Sequence, residues 1–99
     1  MAQDVFTIRE ILSSAAFERL QSQVISATES GAREVTLALD EMPTLDAAAI
    51  RQLIMLLRRT REAGGDIALA VSRADLLRTL HVTALDKVFT IVPLPEAAA

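Results

Sequence analysis

The most informative stretch of this 99-residue chain is VTLALDEMPTLDAAAIRQLI, residues 35–54. Val35, Leu37 and Leu39 recur at every second position, which is typical of a strand. A short polar turn follows, and Asp46 stands where a helix would begin, because its carboxylate can accept an orphan backbone N–H. The stretch therefore predicts a strand, a turn and a helix. In a parallel α/β sheet such a turn lies at the carboxyl edge, where binding sites usually lie.

The same reasoning predicts alternating strands and helices along the rest of the chain. The predicted elements, in order, are strand 5–12, helix 15–29, strand 34–39, helix 47–62, strand 66–71, a short helix opened by a capping-box-like Ser72, and strand 87–92. This order implies a single α/β domain with a mixed, mostly parallel four-stranded sheet and three helices. We expect its core to span about residues 5–92 and a frayed tail to follow over 93–99.

The second predicted helix has one apolar face and one mixed face. Apolar residues at helical spacing predict a buried stripe of Ile50, Leu53, Ile54 and Leu57. Met55 points away from this stripe, to the side of Ala48 and Arg51. A single exposed methionine commonly has no role, but beside these neighbours it is also a candidate for an adaptable partner-facing patch.

Composition argues against several classes of function. The chain has 10 basic and 13 acidic residues and a net charge of −3, which disfavours a general nucleic-acid binder. It has no cysteine and one histidine, so a disulfide and the usual zinc ligand set are both excluded. The apolar run of residues 53–57, which no other run exceeds in length, is too short to insert across a membrane. We therefore expect a soluble, cytoplasmic protein without a metal or cofactor.

No catalytic pattern accompanies these elements. His81 has no partner at a spacing that indicates a triad or a nucleophile and base. The glycine pair at 64–65 ends a helix instead of opening one, which is the wrong geometry for a phosphate-binding loop. The cluster of Arg58, Arg59 and Arg61 is interpreted as a solvated helix face. The sequence favours a binding protein over an enzyme.

Three segments, taken in order, resemble the STAS domains, a family that includes the anti-sigma factor antagonists. LALDEMPTLDAAAI is similar to the family's apolar strand, polar turn and DSSGL signature. RRTREAGGDIALA is similar to its helix end, glycine pair and next strand, and LLRTLHVTALDKVFTI to its LTGLDKVFxI ending. The resemblance spans residues 6–91. Only four residues precede Val5, so the family's additional N-terminal edge strand is expected to be reduced here.

The resemblance also locates a lost phosphorylation site. Ala47 matches the family's phosphoacceptor serine, Ala48 the second serine and Ala49 the glycine. Alanine has no hydroxyl, so we expect no phosphorylation there. Thr44 is a weak substitute acceptor, because a threonine in a turn is usually only a hydrogen-bonded hydroxyl. Asp46 matches the aspartate that flanks the family's phosphorylation site, and the alternative is that it only caps the helix.

The resemblance implies a non-catalytic regulator that binds an anti-sigma factor of the kinase-like type and so releases a sigma factor. The expected contact residues are Thr44, Asp46, Ala47, Ala48, Arg51 and Met55. The alternative is a STAS subunit of a lipid-transport ABC complex, bound to its ATPase, a role that needs no phosphoserine. A reduced N-terminal strand would leave a sheet edge open, so a homodimer through that edge is also expected.

Overall fold

The computed structural model describes residues 5–10 and 13–93, and strands and helices alternate along them as predicted. The elements are β1 (Val5–Thr7), α1 (Ser14–Glu29), β2 (Glu34–Ala38), α2 (Ala47–Glu62), β3 (Asp66–Ala70), α3 (Ala74–Val82) and β4 (Thr90–Val92). A single 3₁₀ turn, Leu85–Lys87, connects α3 to β4. Residues 11–12 of the predicted first strand and residues 94–99 of the predicted tail lie outside the described residues.

The four strands form one sheet in the order β1-β2-β3-β4, and all three described pairs are parallel. The register aligns Phe6 with Leu37, Leu37 with Leu69, and Leu69 with Ile91, so one apolar row crosses the sheet. This arrangement confirms the predicted α/β fold with four strands and three helices. It places the ends of β2 and β3 side by side at the carboxyl edge.

The hydrophobic core lies between this apolar row and the helices. α1 and α2 pack against each other and against the central strands. Side chains from all three helices join the strand residues in one cluster. Its fully buried large members include Leu37, Leu39, Leu56, Ile67, Leu69, Leu76 and Leu80.

The outer strands are shorter than predicted because of their surroundings. β1 ends at Thr7, opposite the last residue of β2, so the strand has no partner to continue along. At the other edge, the predicted strand 87–92 begins only at Thr90. The residues before it follow Ala84, whose φ of 62° turns the chain into the 3₁₀ helix. Leu85 and Phe89 enter the core from this turn, which explains why the apolar pattern resembled a longer strand.

The buried face of α2 is rotated from the predicted one. Leu53 and Leu57 are buried as predicted, but Ile54 is 37% exposed and Ile50 is only partly buried. The other buried positions are Ala49, Leu56 and Thr60. Thr60 is tolerated in the core because its hydroxyl donates to a backbone carbonyl one turn earlier, at 2.7 Å. α2 packs against α1 as well as against the sheet. The contact with α1 turns the buried stripe of α2 away from Ile54.

The turn between α2 and β3 requires both of its glycines. Gly64 has a φ of +96°, which a residue with a side chain rarely adopts. At Gly65 an added Cβ would lie 2.7 Å from both Oγ1 and Cγ2 of Thr28 on α1. The Thr28 hydroxyl donates to the carbonyl of Val24 at 3.0 Å, which holds that side chain in place.

Gly65→Ala is therefore expected to lower the free energy of unfolding by about 1–3 kcal/mol, the usual cost of overpacking. Urea denaturation would measure the change. Thr28→Ala removes both contacting atoms. Adding Gly65→Ala to the Thr28→Ala variant should therefore lower the free energy of unfolding by less than adding it to wild type. An unfolding free energy of Gly65→Ala equal to that of wild type would show that the α1–turn contact is not tight.

Candidate partner-binding site

The N-terminus of α2 is capped and exposed at the carboxyl edge. Asp46 has extended backbone and its Oδ1 accepts the N–H of Ala49 at 3.0 Å, as the sequence predicted. Ala47 and Ala48, the first two helical residues, are both exposed. The first turn of α2 thus presents a carboxylate and two methyl groups to solvent.

Two buried side chains anchor the turn before this helix to the core. Met42 and Leu45 are buried in the core, and the N–H of Met42 donates to the carbonyl of Leu39 at 2.9 Å. Pro43 and Thr44 lie between these two anchors and are exposed. Thr44 therefore projects from the edge beside the start of α2, in the position expected of a surface residue.

Arg73, from the β3–α3 connection, holds this turn in place. Its Nη1 donates to the carbonyl oxygens of Asp40 at 3.1 Å and Met42 at 2.6 Å. Its Nη2 lies 3.4 Å from the carbonyl oxygen of Pro43. One guanidinium thus contacts three carbonyls of the β2–α2 turn, which we call the Arg73 clamp. Arg73 was not identified from the sequence, because its partners lie 30 or more positions away.

Two carboxylates complete the clamp. Asp75 pairs with Arg73 in a bidentate manner, at 3.1 Å to Nε and 2.6 Å to Nη2. The hydrogen bond from Arg73 lowers the pKa of the Asp75 carboxyl below its ordinary value, against a smaller opposing effect of burial. Asp40 Oδ1 accepts the N–H groups of Ser72 at 2.9 Å and Arg73 at 3.3 Å. The carboxylate of Asp40 therefore ties the end of β2 to the start of α3.

The same contacts correct the predicted start of α3. The N-cap residue is Arg73, not Ser72, and it makes no side-chain cap hydrogen bond. The backbone N–H groups of both residues instead donate to the carboxylate of Asp40, on another connection. The carboxylate of Asp40 thus binds the two backbone N–H groups that precede the helix, where the sequence suggested a local capping box.

One side of α2 forms an open depression that we call the α2 outer face. It is lined by Ala47, Ile50, Arg51, Ile54, Met55 and Arg58. Met55 is 41% exposed, which agrees with its predicted direction. Arg51 and Met55 were predicted to lie together on this side of α2, with Ala48 beside them, whereas Ile50 and Ile54 were predicted to be in the core.

A second depression separates α2 from α1. It is lined on α2 by Ala48, Arg51, Gln52, Met55 and Arg59, and on α1 by Ser14, Phe17, Glu18 and Gln21. Arg51 and Met55 belong to both depressions and lie on the ridge between them. Neither depression is lined by Thr44 or Asp46, which lie beyond the helix end, at the edge of the sheet. The α1 residues were missed because helix packing, which no local pattern reports, brings them to this surface.

The carboxyl edge and the α2 outer face differ in charge. The edge carries the carboxylates of Asp40, Glu41, Asp46 and Asp75. Its cations are Arg73 in the clamp and Arg9, which pairs with Glu41 at 2.6 Å between two largely exposed side chains. The α2 outer face carries Arg51 and Arg58 and no acid. A docking partner would therefore meet an acidic edge next to a basic helix.

Within residues 5–10 and 13–93, no group of three or more histidine, cysteine or acidic side chains is arranged to hold a metal ion. None of the helices in the described part of the chain is both long and apolar enough to span a membrane.

Comparison with known proteins gives a consistent family. The STAS domain family model matches residues 3–98. BtrV from Bordetella bronchiseptica, named as a candidate anti-sigma factor antagonist, is 21% identical over 92 residues, which cover 93% of this chain and 79% of BtrV.

Two solved structures share the fold. The crystal structure of TM1081 from Thermotoga maritima, described as a candidate anti-sigma factor antagonist, superposes with a TM-score of 0.68 at 20% identity, covering 99% of this chain and 86% of that one. An NMR structure of TM1081 superposes with a TM-score of 0.64 at 19% identity, covering 95% and 78%. These likenesses concern the fold, whereas the family model covers almost every residue. The chain belongs to the STAS domain family.

Proposed function

We propose that this chain is an anti-sigma factor antagonist, a non-catalytic regulator that binds an anti-sigma factor in the cytoplasm and thereby releases a sigma factor. The observation that carries the proposal is the exposed N-terminus of α2 beside the clamped β2–α2 turn. Such an edge offers a rigid surface for a protein partner. The names of BtrV and TM1081 support the same kind of function.

The proposed contact surface begins at the carboxyl edge and continues along α2. At the edge it comprises Thr44 and Asp46, and on the helix it comprises Ala47, Ala48, Arg51 and Met55. All six residues are exposed, and the helix members line the two depressions described above. The combination of methyl groups, a methionine and charged ends suits a protein partner better than a small polar substrate.

We further propose that binding is not controlled by phosphorylation at the start of α2. Ala47 occupies the position that the family resemblance assigns to the phosphoacceptor, and its exposed methyl group cannot carry a phosphate. A kinase-type anti-sigma factor would therefore be unable to release itself by modifying this residue. The complex would form and dissociate according to concentration and affinity alone.

The test is direct binding to purified anti-sigma factors of the same genome, by calorimetry, followed by sigma release measured by gel filtration. Asp46→Arg and Met55→Glu should each weaken the complex at least about tenfold, because each places a wrong charge in the docking surface. Asp46→Arg should also lower the free energy of unfolding by about 0.5–2 kcal/mol, since it removes the helix cap.

Matched controls use the same substitutions elsewhere on exposed surface. Glu29→Arg, at the far end of α1, reproduces the charge change of Asp46→Arg, and Val82→Glu on α3 resembles Met55→Glu. Both controls should bind with wild-type affinity. If Asp46→Arg and Met55→Glu also bind normally, the surface is misplaced. If no anti-sigma factor binds but a transporter ATPase does, the lipid-transport alternative replaces this proposal.

Self-association through β1 is proposed as a second property. β1 pairs only with β2, so its outer edge has backbone groups without a strand partner among the described residues. The N–H of Ile8 points towards β2 and donates to the carbonyl of Ala38 at 3.0 Å. The N–H of Thr7, one residue earlier, therefore points towards the open edge of the sheet. A second copy could therefore pair with this edge.

Thr7→Pro tests that pairing, because proline removes an outward N–H and leaves the β1–β2 ladder intact. Wild type should sediment as a dimer at micromolar concentration, and Thr7→Pro should sediment as a monomer with an unchanged unfolding curve. A wild-type chain that sediments as a clean monomer would contradict the proposal.

A further inference from the structure

The α2 outer face has an apolar surface flanked by two arginines that form no ion pair with any described residue. Ile54 and Met55 are exposed large apolar side chains, and Ile50 is only partly buried. Arg51 and Arg58 are exposed, and neither makes a hydrogen bond or ion pair with any residue in 5–10 and 13–93. The chain as a whole is acidic, with a net charge of −3, so this local positive charge is a property of the helix face.

Some arginines of this protein are paired, although Arg59, next to Arg58, makes no ion pair with any described residue either. Arg61, one turn further along α2, bonds to Asp66 at 3.1 Å and to the carbonyl of Val88 at 3.0 Å. Arg73 holds Asp75 in the clamp. By contrast, no acidic side chain lines the depression that contains Arg51 and Arg58. Their guanidinium groups are left to solvent or to a partner.

The shape of the face favours a helix as the partner. Its residues recur every three or four positions from Ala47 to Arg58, so the strip is about 16 Å long at 1.5 Å per residue. The backbone groups within a helix are already hydrogen-bonded, so an added β-strand would find nothing to pair with here. A helix can instead place a ridge of its side chains into the groove between the exposed side chains of α2.

The positive charge of the face favours a partner with acidic side chains beside its apolar ones. Carboxylates beside apolar anchors would satisfy both guanidinium groups, and Arg–carboxylate pairs can be bidentate. A broad polyanion, such as duplex DNA or an anionic membrane, would also approach the neighbouring carboxylates of Asp40, Glu41 and Asp46, which repel it. A narrow acidic helix can lie along α2 without covering that edge.

We propose that the α2 outer face binds an acidic amphipathic helix, whose apolar side chains contact Ile50, Ile54 and Met55 and whose carboxylates pair with Arg51 and Arg58. This proposal rests on the proposed function, because it names the chemistry that the partner of the same surface would carry. The interaction weakens as salt concentration rises, since both arginines are solvent-exposed.

The probe is a synthetic amphipathic peptide of roughly 18 residues, long enough to form a helix, with leucines on one face and glutamates beside them. Two comparison peptides are a scrambled sequence of the same composition and a version with lysine for glutamate. NMR titration of the labelled chain locates the contact, and fluorescence anisotropy between about 0.05 and 0.3 M salt gives the affinity. The glutamate peptide should perturb the α2 outer face and bind at least about tenfold more tightly than the others.

Charge reversal on the protein provides the decisive comparison. Arg51→Glu/Arg58→Glu should lose about tenfold in affinity for the glutamate peptide and gain affinity for the lysine peptide. Arg19→Glu/Arg78→Glu makes the same charge change at exposed positions on α1 and α3 and should leave both affinities unchanged. Equal binding of the scrambled peptide, perturbations elsewhere on the chain, or tighter binding to duplex DNA or anionic vesicles would each overturn the proposal.

The two proposals can fail separately. If an anti-sigma factor binds wild type and Arg51→Glu/Arg58→Glu with equal affinity, the acidic-helix proposal fails and the proposed function stands. If the glutamate peptide binds α2 with the expected charge preference but no anti-sigma factor binds, the helix proposal stands and the proposed function fails.

Discussion

Ala47→Ser is expected to give a chain that a kinase-type anti-sigma factor phosphorylates and whose complex then weakens by more than about 30-fold. The new hydroxyl would lie at an exposed first helical position beside the Asp46 cap. Phosphate at a helix N-terminus suits the isolated domain, so the fold should persist. At a docking surface its nearly two negative charges would face the partner. A phosphate in a closely packed interface must be desolvated and adds like charge beside Asp46, and a loss of about 2 kcal/mol already corresponds to 30-fold.

Mass spectrometry after incubation with the kinase would identify the modified residue, and calorimetry would compare the two forms. Ala48→Ser is the matched control, because it adds the same hydroxyl one residue later on the same exposed turn. Phosphate on Thr44 of the wild-type chain would show that the switch has moved. A kinase that modifies other substrates but leaves Ala47→Ser unmodified would favour the transporter-subunit alternative.

Leu69→Ala is expected to lower the free energy of unfolding by about 2–5 kcal/mol, the range for large-to-small changes in a core. Leu69 is fully buried in β3, between Leu37 on β2 and Ile91 on β4. A cavity at this point would reduce packing across three strands. Since small domains have about 5–15 kcal/mol in total, this one change should remove a large fraction of the stability. Urea denaturation measures it directly.

Ile54→Ala is the matched comparison, because it also removes a large aliphatic side chain but from the exposed face of α2. Its unfolding free energy should stay within about 0.5 kcal/mol of wild type, whereas its affinity for the partner should fall. A loss of 2 kcal/mol or more in the unfolding free energy of Ile54→Ala would restore the sequence-based assignment of this residue to the core. Equal losses from both variants would contradict the difference in burial between Leu69 and Ile54.

The sequence was sufficient to predict the bounds of an element where residues at its own two ends determine where it begins and stops. The helix predicted at 47–62 is observed as Ala47–Glu62, because Asp46 provides the cap and the glycine pair at 64–65 provides the stop. The exposure of Met55 followed from helical spacing alone. The fold class followed from the alternation of elements, since parallel strands joined by helices allow few arrangements.

Two features that could not be predicted from the sequence, the buried face of α2 and the contacts of Arg73, depend on long-range packing. Ile54 fits an apolar stripe by spacing, yet packing of α2 against α1 places Thr60 in the core and leaves Ile54 exposed. Arg73 resembles any surface arginine until the fold brings it to the carbonyls of Asp40 and Met42. Both features depend on which elements become neighbours, so residue types and spacing within one element carry no signal for them.

The Arg73 clamp also bears on how fast a partner binds and leaves. Because the carbonyls of Asp40 and Met42 are already held in the free protein, the loop becomes ordered when the chain folds and not when it meets a partner. Association then needs little rearrangement, and the free and bound backbones should agree within about 1 Å. Substitutions on a preformed surface change the dissociation rate far more than the association rate. Variation at this edge should therefore act mainly through the lifetime of a complex with a partner.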